Sequence, residues 1–155
     1  MPDANVIIRR YVPEDRLAII EISRLALEYG GMPGHKTSLE HESKDIENIY
    51  FNNSGEFLVL LVDNQIIGIG GLMRQDNTTG RIRRMRIHPN YQRHGYGGLI
   101  LGKLEQKAVE LGYRKLVLRT SDKLKSAMNF YVKQGYKNKG VSPKDQFVDF
   151  EKLIY

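Results

Sequence analysis

A chain of 155 residues with 41% hydrophobic and 27% charged side chains falls in the globular range and is long enough for a domain with its own core. It contains no cysteine, which excludes a disulfide framework, a thiolate metal site and a cysteine nucleophile. The formal charge of +6 invites a nucleic-acid reading, but five arginines (81, 83, 84, 86 and 93) and no carboxylate fall between Arg81 and His94. Setting these aside leaves 19 Lys+Arg against 18 Asp+Glu, so the excess belongs to one short stretch and fits a small polyanionic ligand better than a duplex. No basic segment followed by a long apolar run opens the chain, and no run approaches the roughly 18 apolar residues of a membrane span. The expectation is a soluble, cytoplasmic protein with neither nucleic-acid nor membrane partners and no metal site.

Val6 to Tyr11 reads as a first strand, and Pro13 followed by Glu14 and Asp15 marks a helix start. That helix is predicted to reach Tyr29, with Ile19, Ile22, Ala26 and Tyr29 on its buried face, before Gly30-Gly31-Met32-Pro33-Gly34 breaks it. A second helix is expected from Leu39 or Glu42 to Phe51. Glu56 to Val62 and Gln65 to Met73 are β-rich runs around the hairpin signal Asp63-Asn64. Asp76 to Gly80 reads as a turn, and Arg81 to His88 as a strand whose alternation puts Arg84 and Arg86 on one face and Arg83 and Met85 on the other. A helix after Gly98 carries the stripe Ile100, Leu101, Leu104, Ala108 and Leu111 and closes at Gly112. Then follow a strand from Lys115 to Thr120, a helix from Leu124 to Gln134 closed by Gly135, and two strands, Tyr136 to Gly140 and Gln146 to Leu153. With no repeat or linker, residues 1–155 read as a single α/β (α+β) domain. Its sheet is mixed and mostly antiparallel, with six or seven strands and about four helices on both faces.

The basic stretch Arg86 to Gly98 combines a strand end, a turn at Pro89 and a glycine-rich loop opening into a helix. Such an arrangement suits phosphate, because N-terminal helix amides lack internal partners and glycine lets an anion approach them. Gly95-Tyr96-Gly97-Gly98 also resembles part of a dinucleotide fingerprint, but the third glycine is misplaced and no leading parallel β-α-β unit surrounds it. A P-loop is excluded because no Gly-Lys-Ser/Thr follows.

Gln92-Arg93-His94-Gly95-Tyr96-Gly97 resembles the Q/R-x-x-G-x-G/A signature of the GNAT superfamily of N-acetyltransferases, placed after a strand ending in Ile87-His88-Pro89. Downstream, Ala127-Met128-Asn129-Phe130-Tyr131 and Gly135-Tyr136 are similar to that family's closing motif, and the element order agrees over nearly the whole chain. The resemblance implies the GNAT fold, acetyl-CoA as cofactor, and acetyl transfer to a primary amine by direct attack in a ternary complex. It implies that Gln92, Arg93, His94, Gly95, Tyr96, Gly97 and Gly98 hold the CoA pyrophosphate. Met85 and Ile87 then pair with the pantetheine arm, on a strand edge opened by splaying. It further implies a small-molecule or peptide amine acceptor, and a homodimer is compatible with it. A CoA-binding module of the same fold without turnover is the alternative.

The chemistry needs a neutral amine, yet a lysine-like amine is only about 0.04% neutral at pH 7. It also needs a donor for the developing oxyanion, for which a backbone N–H near Met85 is a candidate, and a proton for the departing thiolate. Tyr131 holds the family's tyrosine position and is the expected acid. Arg81 to Ile87 of the central strand offers only arginines and apolar residues, so Glu28, His35, Glu40, His41 and Asp122 are the base candidates. Leu124 replaces an asparagine of the family pattern, for which Ser121, Ser126 and Asn129 are the candidate substitutes. Tyr29, Arg83 and Arg119 are the expected acceptor-side residues, with Arg84 as a further one; an arginine among them would favour a carboxylate-bearing substrate.

Overall fold

Seven strands form one sheet in a computed structural model that describes residues 5–32 and 39–155. They are β1 (Val6–Arg10), β2 (Glu56–Val62), β3 (Gln65–Arg74), β4 (Thr79–Ile87), β5 (Lys115–Ser121), β6 (Lys137–Val141) and β7 (Phe147–Leu153), in the order β1-β2-β3-β4-β5-β7-β6. Every neighbouring pair is antiparallel except β4 and β5. The β2–β3 hairpin turns on Asp63 and Asn64, both at positive φ, as its two-residue signal demands.

Helices cover both faces. One face carries α1 (Arg16–Tyr29), α2 (Leu39–Glu42) and α3 (Ile46–Ile49), with Ile19, Leu39, Ile46 and Tyr50 packed on Phe57, Val59 and Ile69. The other carries α4 (Tyr96–Glu110), whose Ile100, Leu101, Leu104 and Ala108 are buried against Leu58, Leu60, Leu72 and Leu116. α4 lies close to the sheet because Gly68 and Gly70 leave room: a Cβ on Gly70 would come within 2.6 Å of the Met85 sulfur and 2.7 Å of Ile100. α5 (Lys125–Lys133) connects β5 to β6 and ends at Gly135, at φ +93°. Among the described residues, no helix is long and apolar enough to cross a membrane.

Four local expectations are corrected. Tyr29 is 65% exposed, and Leu27 takes the inward position at the end of α1. The second helix is interrupted after Glu42, because the buried Ser43 hydroxyl donates to the Glu40 carbonyl and competes with the helical ladder. Thr79 and Gly80 belong to β4, since the Asp76 carboxylate caps the Thr78 and Thr79 amides and tightens the preceding turn. α4 begins at Tyr96 rather than after Gly98, and its Leu111 is outside the core, where Tyr113 is buried in its place.

Candidate active site

The parallel ladder between β4 and β5 lasts for only three pairs, Thr79↔Lys115 to Arg81↔Val117. Beyond Arg81 the strands separate, and a cleft of about 640 Å³ opens between them, bordered by Tyr29, Gly30 and Met32 after α1 and by Leu124 and Tyr131 of the α5 region. A Cβ on Gly30 would lie 2.6 Å from Leu124 Cδ2, so the glycine at the end of α1 lets Leu124 close the gap between the two helices. Leu124, the departure from the family pattern, therefore has a packing role, and Ser121 and Ser126 line the cleft beside it while Asn129 does not.

β4 does not alternate as its sequence predicts. Gly71 pairs with Arg83 and Ile69 with Arg86, so Gly70 alone faces both Arg84 and Met85. This bulge puts Arg84 at φ +61°, a conformation that costs a non-glycine residue about 1–2 kcal/mol. It also brings Arg83 and Arg84 to the same carboxylate: Arg83 reaches Glu42 at 2.8 Å, and Arg84 Nη2 donates to it at 2.9 Å. The Tyr50 hydroxyl donates to Glu42 as well, at 2.9 Å. Burial alone would raise the Glu42 carboxyl, but the Arg84 hydrogen bond and the charges of both arginines outweigh it and hold it below the ordinary carboxylate range.

The open edge of β4 ends in the basic loop. Gln92 donates through Nε2 to the Ile87 carbonyl at 3.0 Å and braces the turn. Arg93 and Gly95 then take positive φ, +65° and +85°, and Gly95 caps α4. The Arg93 and His94 side chains are exposed, while Tyr96, Gly97 and Gly98 form the first turn of α4. Their amides are those that helix geometry leaves unpaired, and the helix dipole adds positive character there. A Cβ on Gly97 would stand 3.4 Å from the Phe130 ring, so this turn rests directly on α5.

Tyr131 follows Phe130 and is packed edge-on between Phe130 and Tyr136, with centroids at 5.1 and 5.8 Å. Burial pushes its hydroxyl up to about 12, against the pull of the Arg86 charge. Arg86 is itself driven below its ordinary value by burial, with Tyr131 opposing the shift. Burial thus favours a protonated phenol beside a cation.

The cleft lining gathers Met85, Ile87, Gln92 and Tyr131 with Tyr29, Arg83, Arg84 and Arg119. The exposed loop residues Arg93, His94 and Gly95 stand outside it, as do Tyr96, Gly97 and Gly98 of the α4 start. Arg119 is engaged by Asp145 at 3.1 Å and Asp149 at 2.8 Å, so neither it nor Arg83 is an uncompensated charge. The base candidates fare differently. Glu28 is paired with Arg24 at 2.8 Å, and Glu28, Glu40, His41 and Asp122 all lie outside the cleft lining. His35 falls outside the described residues. Among the described residues, no carboxylate or histidine lines the cleft. Glu42 and Arg86 are additions that the sequence reading did not assign. Only the basic run itself pointed to Arg86, and nothing local pointed to Glu42.

Comparison with known proteins bears on the fold and the family. The chain is 29% identical over 109 residues to N-acetyltransferase 8F1 of Rattus norvegicus, which covers 67% of this chain and 49% of that protein. It spans about half the length of the curated relatives it matches. A GNAT-family acetyltransferase structure from Staphylococcus aureus Mu50 superposes with a TM-score of 0.88 at 22% identity, covering 97% of this chain and 100% of that one. The PaiA N-acetyltransferase of Thermoplasma acidophilum, solved in complex with coenzyme A, superposes at 0.83 with 19% identity, over 96% and 99% of the two chains. Residues 19–136 match the Acetyltransferase (GNAT) family, and the chain belongs to that family.

Proposed function

We propose that the protein is an acetyl-CoA-dependent N-acetyltransferase that moves an acetyl group to a primary amine by direct attack in a ternary complex. The observation that carries this reading is the separation of β4 from β5 beyond Arg81. It leaves a strand edge facing a cleft that has a buried tyrosine in its wall and is lined by Ile87 and Gln92, the residues leading into the start of α4.

The residues present fit acetyl-CoA. The unpaired amides of α4 and the side-chain-free positions Gly95, Gly97 and Gly98 suit a pyrophosphate, and the freed edge at Met85 and Ile87 suits an extended amide-bearing arm, as an added strand would lie. The carbonyls of Met85 and Ile87 already accept one side-chain donor each, from Arg86 at 2.8 Å and Gln92 at 3.0 Å. Each carbonyl keeps a second lone pair. Acetyl-CoA supplies a thioester carbonyl: the amine nitrogen bonds to that carbon, the carbon–sulfur bond breaks, and the sulfur leaves with the electron pair.

The chain's own residues account for the proton movements. Tyr131, whose phenol burial pushes up to about 12, donates to the departing sulfur and is restored by the proton the nitrogen sheds as it becomes an amide, and Arg86 steadies the phenol oxygen in between. The bulge at Arg84 turns backbone out of the ladder beside Met85, where an N–H can meet the developing negative charge on the carbonyl oxygen. No base is required on the cleft wall if the amine arrives neutral. Its lining holds five arginines, two lysines and no carboxylate, and this positive surround disfavours an ammonium and sends its proton to solvent.

The same lack of a lining carboxylate favours, as a second reading, a module that binds CoA without turnover. Free-thiol release from acetyl-CoA across an amine panel, with calorimetric titration of acetyl-CoA, separates the two. Turnover of any amine supports the enzyme; binding with no turnover on every amine establishes the module.

A further inference from the structure

The five arginines of the cleft are not equivalent. Arg83 and Arg84 are tied to Glu42, Arg119 to Asp145 and Asp149, and Arg81 donates to the Gln75 side chain at 2.9 and 2.5 Å. Arg86 differs. Its Nη1 donates to the Met85 carbonyl at 2.8 Å, its Nε is buried with no hydrogen-bond partner, and its Nη2 donates to none of the described residues. What is left without a described partner is the Nε–Nη2 edge, two parallel N–H groups at the spacing of the two oxygens of a carboxylate, with Nε shielded from solvent.

Its position is equally specific. Arg86 stands opposite Ile69, which belongs to the core under α1, α2 and α3, so its side chain leaves β4 on the same face as the end of α1. Met85 and Ile87 pack on the other face, toward α4. Arg86 thus lies on the side of β4 away from α4, and it shares the cleft with Tyr131. A cation in this setting with no anion is costly, and the surrounding lining offers none.

We propose that the guanidinium of Arg86, through its unpartnered N–H groups, receives a carboxylate of the amine acceptor, so that the acceptors are amino acids and other amines with a carboxylate a few bonds from the nucleophilic nitrogen. This rests on the acetyltransferase reading and adds a substrate class to it. The pairing holds the acceptor by its acid group, and Arg81, whose partner Gln75 is neutral, adds positive charge that further favours acids over neutral amines.

The test uses matched trios, each an amino acid, its amide and its decarboxylated amine, with small, aromatic and acidic side chains. Free-thiol release is measured at saturating acetyl-CoA for the wild-type protein, Arg86→Gln and Arg86→Lys. In the wild type, kcat/KM for at least one acid is expected to exceed that of its amide by roughly a hundredfold, because a site built for a charged hydrogen bond rejects the analogue lacking it. Arg86→Gln is expected to bring that ratio to within a few-fold, and Arg86→Lys to recover part of it. An acid-to-amide ratio near one in the wild type overturns the proposal without any variant having to fold. A ratio that survives Arg86→Gln, with the loss appearing instead in the KM for acetyl-CoA, assigns the guanidinium to the cofactor and also overturns it. In both cases turnover persists and the acetyltransferase reading stands. Acetyl-CoA binding with no turnover of any amine removes both.

Discussion

Two basic regions adjoin one another in the sequence, and they hold positive charge by different means. In the loop leading into α4 the charge comes from the backbone. Arg93 and His94 are exposed, and the binding surface proposed above is the row of amides at Tyr96, Gly97 and Gly98, two of which carry no side chain. On β4 the charge comes from side chains, and three of its four arginines are placed by a partner brought from elsewhere, Arg83 and Arg84 by Glu42 of α2 and Arg81 by Gln75 of the β3–β4 turn, while Arg86, among the described residues, holds only the neighbouring Met85 carbonyl. The difference teaches what each region can discriminate. A helix start accepts phosphate whatever it is attached to, whereas a braced guanidinium selects for shape as well as charge.

The comparison breaks most sharply at Gly97. If the loop binds through backbone alone, Gly97→Glu removes the site by placing bulk and negative charge on it. The Kd for acetyl-CoA is then expected to rise at least about a hundredfold, since like charges in close contact cost several kcal/mol. An added Cβ meets the Phe130 ring at 3.4 Å, an ordinary contact distance, so the backbone around position 97 need not shift to admit it. Calorimetric titration beside a circular-dichroism melt reads both, and a retained Kd in a folded variant would remove the loop from cofactor binding. Tyr131→Phe comes next. A fall in kcat of about a hundredfold is expected, with little change in the affinity for acetyl-CoA, because only the proton donor is lost. An unchanged kcat would take Tyr131 out of the acid role.

The loop was largely legible from its residues, and the β4 face was not, for a physical reason. A glycine-rich turn into a helix is local information: Gly95 at φ +85° and the amides after it need no distant partner to be read. The bulge depends on Gly70 facing two residues across the ladder and on a carboxylate 42 residues away in sequence. Simple alternation therefore placed Arg83 and Arg84 on opposite faces, whereas both meet Glu42. The splay of β4 from β5 followed from the family resemblance and not from any residue pattern, and only the register from Thr79 to Arg81 made it visible. The same limit affected Tyr29, whose helical spacing matched a buried position at a helix end that faces solvent.

Glu42 sharpens the side-chain half of the comparison. Glu42→Gln leaves two half-buried arginines facing a neutral amide, and removing one partner of such a cluster costs about 3 kcal/mol. The expected reading is a lower midpoint in urea with an unchanged slope. The pH dependence has the same origin. The Glu42 carboxyl titrates below the ordinary carboxylate range in the folded protein, so its stabilisation is complete above that range and is lost as pH falls through the folded value. The variant's acid-side melting curve should accordingly be flatter than that of the wild type. Equal slopes would mean that Glu42 does not hold the arginines.

The smallest effect concerns Tyr131 again, now through pH. The rate on a given amine should climb by about tenfold per pH unit until the amine in the cleft is neutral, then level off. An ordinary phenol would lose its proton near pH 10 and pull kcat down again. With its hydroxyl pushed up to about 12, Tyr131 stays protonated, so kcat between pH 9 and 10 should vary by less than about twofold. The sign of the stability change sets where the measurement can be made. Between the unfolded value near 10 and the folded value near 12 the native state holds a proton that the unfolded chain has lost, so stability falls as pH rises through that window. The plateau must therefore be read below it, with the fold checked at each pH. A reversible fall in kcat centred below pH 10 in the folded protein, absent in Tyr131→Phe, would mean that the cation of Arg86 outweighs burial at the phenol.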